Sequence, residues 1–247
     1  MSMELALVPL FFLVAVLYAS VGHAGASGYL ALMALAGFVP GLMRPTALIL
    51  NVFVATLGSV RYARAGLFRW RDFWPFALTS VPTAFIVSKL GIAPALYRPA
   101  VALLLAVAAL ELVRTARREA TREASGPAPH VPLLPAFAAG ILIGALAGLT
   151  GTGGGIFLSP VLLLLHWQAT RPASGVVAAF VLANSLAGLA GTDWHTAQLS
   201  PWLPAWIAAV VAGGWLGTRL GISGLAVAQL RYALALVLCV AAVKMVV

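Results

Sequence analysis

Charge is what this chain of 247 residues has least of. Only 9% of its residues are Asp, Glu, Lys or Arg, against 62% hydrophobic, and the mean hydropathy is +1.04. A soluble domain carries about 25% charged residues, so this chain could not cover a water-facing surface. That excludes a soluble globular protein and leaves a polytopic integral membrane protein. Acids are scarcest: Glu4, Asp72, Glu111, Glu119, Glu123 and Asp193 all lie near segment ends or in connections. Cysteine is nearly absent. Cys239 stands alone, so no intrachain disulfide can form and no zinc spacing exists. The histidines (His23, His130, His166, His195) show no metal-ligand spacing either. No Lys or Arg precedes the first apolar run, as one would in a signal peptide, so that run reads as a first membrane helix.

The same scarcity argues against catalysis. An enzyme needs a nucleophile with a base, a metal cluster or paired carboxylates, and the predicted segments hold Asp, Glu, Lys or Arg only toward their ends. No Gly-Lys-Ser/Thr ending follows the glycine-rich run at 151–155, which excludes a nucleotide phosphate loop. The residues therefore imply no enzyme, no cofactor and no metal. The net charge of +9, from 15 Lys+Arg against six acids, reflects membrane topology and anionic lipid headgroups, not nucleic acid.

What is present is apolar, segmented and duplicated. The spacing predicts an all-α protein with about 8–10 membrane segments, at about 5–20, 28–39, 45–60, 73–88 and 97–113, then 133–149, 155–168, 173–190, 201–218 and 226–247. The domain reading is a first repeat over 1–113, a cytoplasmic linker over 114–132 and a second repeat over 133–247. Arg44-Pro45 opens the third segment and Arg171-Pro172 the eighth, 127 residues later. At that offset Ser27-Gly28 falls on Gly154-Gly155, and Thr150 is the counterpart of His23. Fixed offsets of this kind mark an internal duplication. With ten crossings and a cytoplasmic linker, Arg61, Arg64, Arg69, Arg71 and the linker arginines all lie inside, as the positive-inside rule requires, with both termini outside. An odd number of crossings per repeat makes the repeats inverted.

The second and seventh segments are short, about 12–14 apolar residues, or roughly 20 Å of helix where a hydrocarbon core of about 30 Å needs about 20 residues. Short, Gly-interrupted segments at matching places in two halves mark broken or re-entrant helices and a transporter's binding site. The break is plainest at Thr150-Gly151-Thr152-Gly153-Gly154-Gly155. Three successive glycines stop a helix, free main-chain N–H groups and leave the helix resuming at Ile156 with its positive end facing the gap. Inside a membrane this forms an anion site that buries no charge. The candidate substrate-binding residues are Thr150, Gly151, Thr152, Gly153, Gly154, Gly155, Asn184 and Ser185, with Ser27 and Gly28 from the first repeat. His23, the titratable side chain inside a break, is a candidate for proton coupling. The plainer readings are close helix packing at the glycines, an interhelical hydrogen bond at Asn184 and Ser185, and a hydrogen-bonded wall at His23. Gly140, Gly144 and Gly148, and again Gly213, Gly217 and Gly221, repeat every four residues and predict close helix contacts.

The run from Gly148 to Leu162, Gly-Leu-Thr-Gly-Thr-Gly-Gly-Gly-Ile-Phe-Leu-Ser-Pro-Val-Leu, resembles the glycine-rich signature of the TauE/SafE permeases, the sulfite exporters. So do Arg171-Pro172 and Asn184-Ser185-Leu186-Ala187-Gly188. The first repeat departs from that pattern, with Gly25-Ala26-Ser27-Gly28 where two or three glycines are expected and His23 just ahead. The resemblance implies transport of a small sulfur-containing or organic anion, such as sulfite or an organosulfonate, across a bacterial inner membrane. The expected partners are that small anionic substrate and the lipid bilayer; nucleic acid is not one, and assembly into a homo-oligomer is compatible. An anion channel or facilitator, or a membrane partner protein that transports nothing, would share the same features.

Overall fold

A computed structural model of the chain describes residues 3–91, 94–120, 131–165, 167–194 and 199–223, with 232, 235, 236, 238, 239, 242 and 243 of the last segment. His130, His166 and His195, residues 121–130 of the linker and most of the tenth predicted segment lie outside the described residues. The elements among those residues are all α-helices: α1 (Met3–Ala19), α2 (Ala26–Leu35), α3 (Pro40–Arg64), α4 (Trp70–Leu90), α5 (Pro94–Ala120), α6 (Leu133–Thr150), α7 (Gly155–Leu164), α8 (Thr170–Ala190) and α9 (Leu203–Ser223). By length and composition, α3, α6, α8 from Arg171 onward, and α9 are apolar enough to cross a membrane. The predicted short segments are ten-residue helices, α2 and α7. Each spans roughly 15 Å, half of a hydrocarbon core of about 30 Å. One boundary differs with consequence: α3 begins at Pro40, not near residue 45, so Arg44 lies within the helix. Proline is well suited to that first helical position, where its missing N–H costs nothing.

The main packing pairs are α1 with α9, α4 with α6 and α3 with α8. Glycine stripes build the first two. On α6, a Cβ added at Gly140, Gly144 or Gly148 would strike the main-chain carbonyls of Phe76, Ser80 and Ala84 of α4. On α9, a Cβ at Gly213, Gly217 or Gly221 would strike those of Phe12 and Val16 of α1 and of Ser20 just beyond its end. Residue numbers rise together in both pairs, so the helices of each pair run in the same direction. Backbones this close gain dispersion and Cα–H···O contacts that larger side chains would forbid. α3 and α8 run oppositely: Gly58 sits by Ala178, Asn51 by Ser185 and Leu48 by Gly188.

Arg69 and Gln168 both donate to the Asp72 carboxylate, tying the stretch after α7 to the start of α4. Tyr62 donates to the Ala19 carbonyl at 2.8 Å, joining the ends of α1 and α3 at the same side of the bundle. The other side holds the ends of α4, α6 and α8, joined through Arg44 and Ser88. The two short helices enter the interior between these ends.

Candidate functional site

Both short helices begin at a glycine that only left-handed backbone can serve. α2 follows Gly25, at φ 111°, and α7 follows Gly154, at φ 77°. A second left-handed glycine lies three residues earlier in each turn, Gly22 at φ 80° and Gly151 at φ 79°. These positions pair at an offset of 129, two residues from the 127 that the Arg-Pro pairs suggest. The stretch from the cap glycine to Arg-Pro is two residues longer in the first half, which accounts for the difference. In the turn itself, the counterpart of His23 is therefore Thr152, not Thr150.

Neither α2 nor α7 has a side-chain cap at its N-terminus. The first helical bond of α2 runs from the Tyr29 N–H to the Gly25 carbonyl at 3.0 Å, and in α7 the Phe157 N–H reaches Gly154 at 3.1 Å. The donors before them, on Ala26, Ser27 and Gly28 and on Gly155 and Ile156, are left over by helix geometry. The two N-termini come from opposite halves of the chain and meet. One cavity is lined by Tyr18, His23 and residues 24–27 of the first turn, by Thr152, Gly155 and Ile156 of the second, and by Val181 of α8. Its volume is about 10 Å³, the space of a single water. Two positive helix ends, free main-chain donors and a few hydroxyls make an environment suited to an anion.

Side chains fasten the two turns to each other. His23 Nε2 lies 3.0 Å from the Gly155 carbonyl. A carbonyl only accepts, so that nitrogen carries the proton and His23 bridges the halves. Ser27 donates to the Tyr18 hydroxyl at 2.7 Å, which leaves the Tyr18 proton to donate elsewhere. Asn51 is wholly buried and donates to the Thr152 carbonyl at 3.1 Å, steadying the glycine-rich loop from α3. Thr150 donates to Leu146 at 2.7 Å and exchanges a 2.9 Å hydroxyl bond with Thr152.

Among the residues singled out from the sequence, His23, Ser27, Thr152 and Gly155 line the cavity. Thr150 stands behind Thr152, and Gly153 and Ser185 stand behind the loop beside Asn51. Gly154 fits between Ile143 and Phe180, where an added Cβ would come within 2.9 and 3.0 Å. Gly28 lies against Val14 and Tyr18, and Gly151 against the Arg44 side chain. Asn184 turns away toward α4 and donates to Ser80 at 3.1 Å and to Phe180 at 2.9 Å. Sequence reasoning missed Tyr18 and Arg44. A tyrosine ending an apolar run carries no local signal, and Arg44 looked like an ordinary charge at a segment end.

Residues 7–245 match the family model described as "Sulfite exporter TauE/SafE". A protein described as "Probable membrane transporter protein y4hK", from Sinorhizobium fredii (strain NBRC 101917 / NGR234), is 37% identical over 235 residues, covering 95% of each chain. No solved structure matches significantly.

Proposed function

Because this chain belongs to the sulfite exporter TauE/SafE family, whose members are membrane transporters and not enzymes, we propose that it is a secondary transporter of a small sulfur-containing oxyanion. Sulfite or an organosulfonate suits the donors of the site, and transport proceeds by alternating access around the two breaks. The observation that carries this reading is the meeting of two uncapped helix N-termini, one from each half, at a single cavity. Main-chain donors and hydroxyls can replace an oxyanion's hydration shell without a buried counter-charge. At about 10 Å³ the cavity has no room for the anion, so this conformation is the closed one, and loading requires α2 and α7 to separate. With no nucleotide loop in the sequence, the driving force is an ion gradient or the substrate's own gradient.

Alternating access follows from inverted repeats, here residues 1–113 and 133–247 joined by a cytoplasmic linker at 114–132. In support, α1 pairs with α9 as α6 pairs with α4, and α3 runs opposite to its counterpart α8. The protein is multi-pass in a bacterial inner membrane, with both termini on the face opposite the linker. The test is uptake of radiolabelled sulfite by proteoliposomes. Saturable uptake that is lost in Gly155→Leu, while the variant still inserts, is the expected result. Unaltered flux in that variant refutes the site, and flux that never saturates replaces the carrier by a channel.

A further inference from the structure

The protein holds a half-buried cation that does not line the central cavity. Arg44 lies in the first turns of α3, and its guanidinium Nη2 donates to the Gly148 carbonyl at 2.6 Å and to the Ser88 hydroxyl at 2.6 Å. Ser88 in turn donates to the Gly188 carbonyl at 2.7 Å. Every one of these partners is neutral. Arg69 pairs with Asp72 near the start of α4, whereas Ser88 lies near that helix's end. Arg44 therefore keeps its full positive charge. Its Nε–H is buried and without a partner among the described residues. Tyr97 of α5 lies within electrostatic reach of that guanidinium, is 2% exposed, and its hydroxyl is likewise unpartnered among the described residues. Two orphaned donors thus accompany one charge with no carboxylate among its hydrogen-bond partners. Gly151, the first left-handed residue of the glycine-rich loop, lies against the same arginine's Cγ.

A clamp that only held helix ends together would have no use for the leftover donors. An unsatisfied buried donor is costly, and a half-buried charge without a counter-ion adds to that cost. Both costs are removed when an oxyanion takes one bond from Arg44 Nε and one from Tyr97. We propose that Arg44 and Tyr97 form a second oxyanion-binding station beside the glycine-rich loop, on the side of the bundle away from the linker. The proposal rests on the anion-transport reading above. The station draws the anion out of water next to the loop, before or after it occupies the central cavity. In the second half, the counterpart Arg171 is exposed, so that arginine does not form a matching buried contact on the other face.

Sidedness is the signature to measure. Initial rates of radiolabelled sulfite transport are taken in right-side-out and inside-out membrane vesicles, for wild type, Tyr97→Phe, Arg44→Gln and Arg44→Lys. Tyr97→Phe deletes one oxygen and keeps the packing, so it reports even if Arg44→Gln fails to fold. The expected result is a KM raised about tenfold, the worth of one hydrogen bond to a charged group, from the face opposite the linker. KM from the linker face and the melting temperature stay at wild-type values, and Arg44→Lys recovers part of what Arg44→Gln loses. A wild-type KM from both faces in Tyr97→Phe overturns the station. So does a fall in maximal rate and melting temperature with KM unchanged, which is the behaviour of a clamp. Wild-type vesicles that move no sulfite, sulfonate or other small anion defeat the transport reading itself, visibly before any variant is compared.

Discussion

Gly154→Ala separates the two physical reasons for a glycine at the head of α7. The backbone there is left-handed at φ 77°, and an added Cβ would come within 2.9 Å of Ile143, 3.0 Å of Phe180 and 3.3 Å of Ala147. Forcing alanine into left-handed backbone costs roughly 1–2 kcal/mol. Overpacking a full interior adds about 1–3 kcal/mol, so the total is about 2–5 kcal/mol. Gly37 supplies the control. It has the same backbone, at φ 80°, in the connection between α2 and α3, but nothing lies within 4 Å of the position its Cβ would take. Gly37→Ala should therefore lose only the backbone part, roughly 1–2 kcal/mol. Unfolding of the two purified variants in one detergent gives the difference directly. The same pair read by sulfite flux tests function: relieving the Gly154 clash moves the N-terminus of α7, and one misplaced donor to a charged ligand is worth about 1.5–3 kcal/mol, or roughly 10–100-fold in affinity. Equal destabilisation and equal flux in the two variants would refute the argument, because backbone conformation alone would then explain both glycines.

Other perturbations follow from the contacts around the cavity. Asn51→Ala strands the buried Thr152 carbonyl and should cost about 1–3 kcal/mol, with sulfite KM rising as the loop loosens; an unchanged melting temperature and KM would mean the bond is dispensable. His23→Phe removes the bridge to Gly155 and should lower flux about tenfold, while His23→Gln, which keeps an N–H donor, should retain more of it; identical losses would assign His23 a steric role only. Gly217→Leu drives a side chain into the α1 backbone and should yield no monodisperse protein by size-exclusion chromatography; a well-folded variant would contradict the packing read from the stripe. In a Cys239→Ala background, Ser125→Cys should react with a membrane-impermeant maleimide from the cytoplasm and Thr192→Cys from the opposite face; the reverse pattern would invert the topology.

The glycine stripes were legible because their spacing has one physical use in a membrane. Four-residue repeats of a side chain with no volume predict backbone contact, and Gly140–Gly148 and Gly213–Gly221 both meet a neighbouring main chain. One stripe lies on α6 and the other on α9, although α6 corresponds in chain order to α1. The α6–α4 and α9–α1 contacts are thus alike in kind although their glycines come from helices at different places in chain order, which no search for repeated residues would reveal. The glycine-rich break was equally plain, because three successive glycines stop any helix. Its fainter echo was found, but in a register two residues off. Arg44 and Arg171 are strong markers and set the offset, while the length difference between them and the turns leaves no trace in composition. Sequence pattern makes Asn184 a candidate ligand and Asn51 a structural residue, the reverse of their relation to the glycine-rich loop. Both are polar residues in apolar helices, and only the direction of each side chain sends one to Ser80 and the other to the loop.

The two breaks bring different chemistry to the shared cavity, and that difference bears on selectivity. The first contributes side chains: the Tyr18 hydroxyl, the His23 ring and the Ser27 hydroxyl. The second contributes mainly backbone, at Gly155 and Ile156, with Thr152 as its one hydroxyl. Backbone donors are fixed in geometry and indifferent to ligand identity beyond shape and charge, whereas side-chain donors can be exchanged without rebuilding a helix. If the cavity binds an oxyanion, first-half substitutions should change which anion is preferred, and second-half substitutions should weaken all anions alike. Ser27→Ala and Gly155→Ala make the comparison. Ser27→Ala removes the hydroxyl that donates to Tyr18 and frees the Tyr18 oxygen to accept, which favours anions carrying a proton or another donor over fully ionised ones. Gly155→Ala pushes a methyl group toward Val181 and His23 and shrinks the site for every ligand. Flux of sulfite measured against a sulfonate of similar size reads the ratio. A ratio that moves in Gly155→Ala and stays constant in Ser27→Ala would reverse this division of labour.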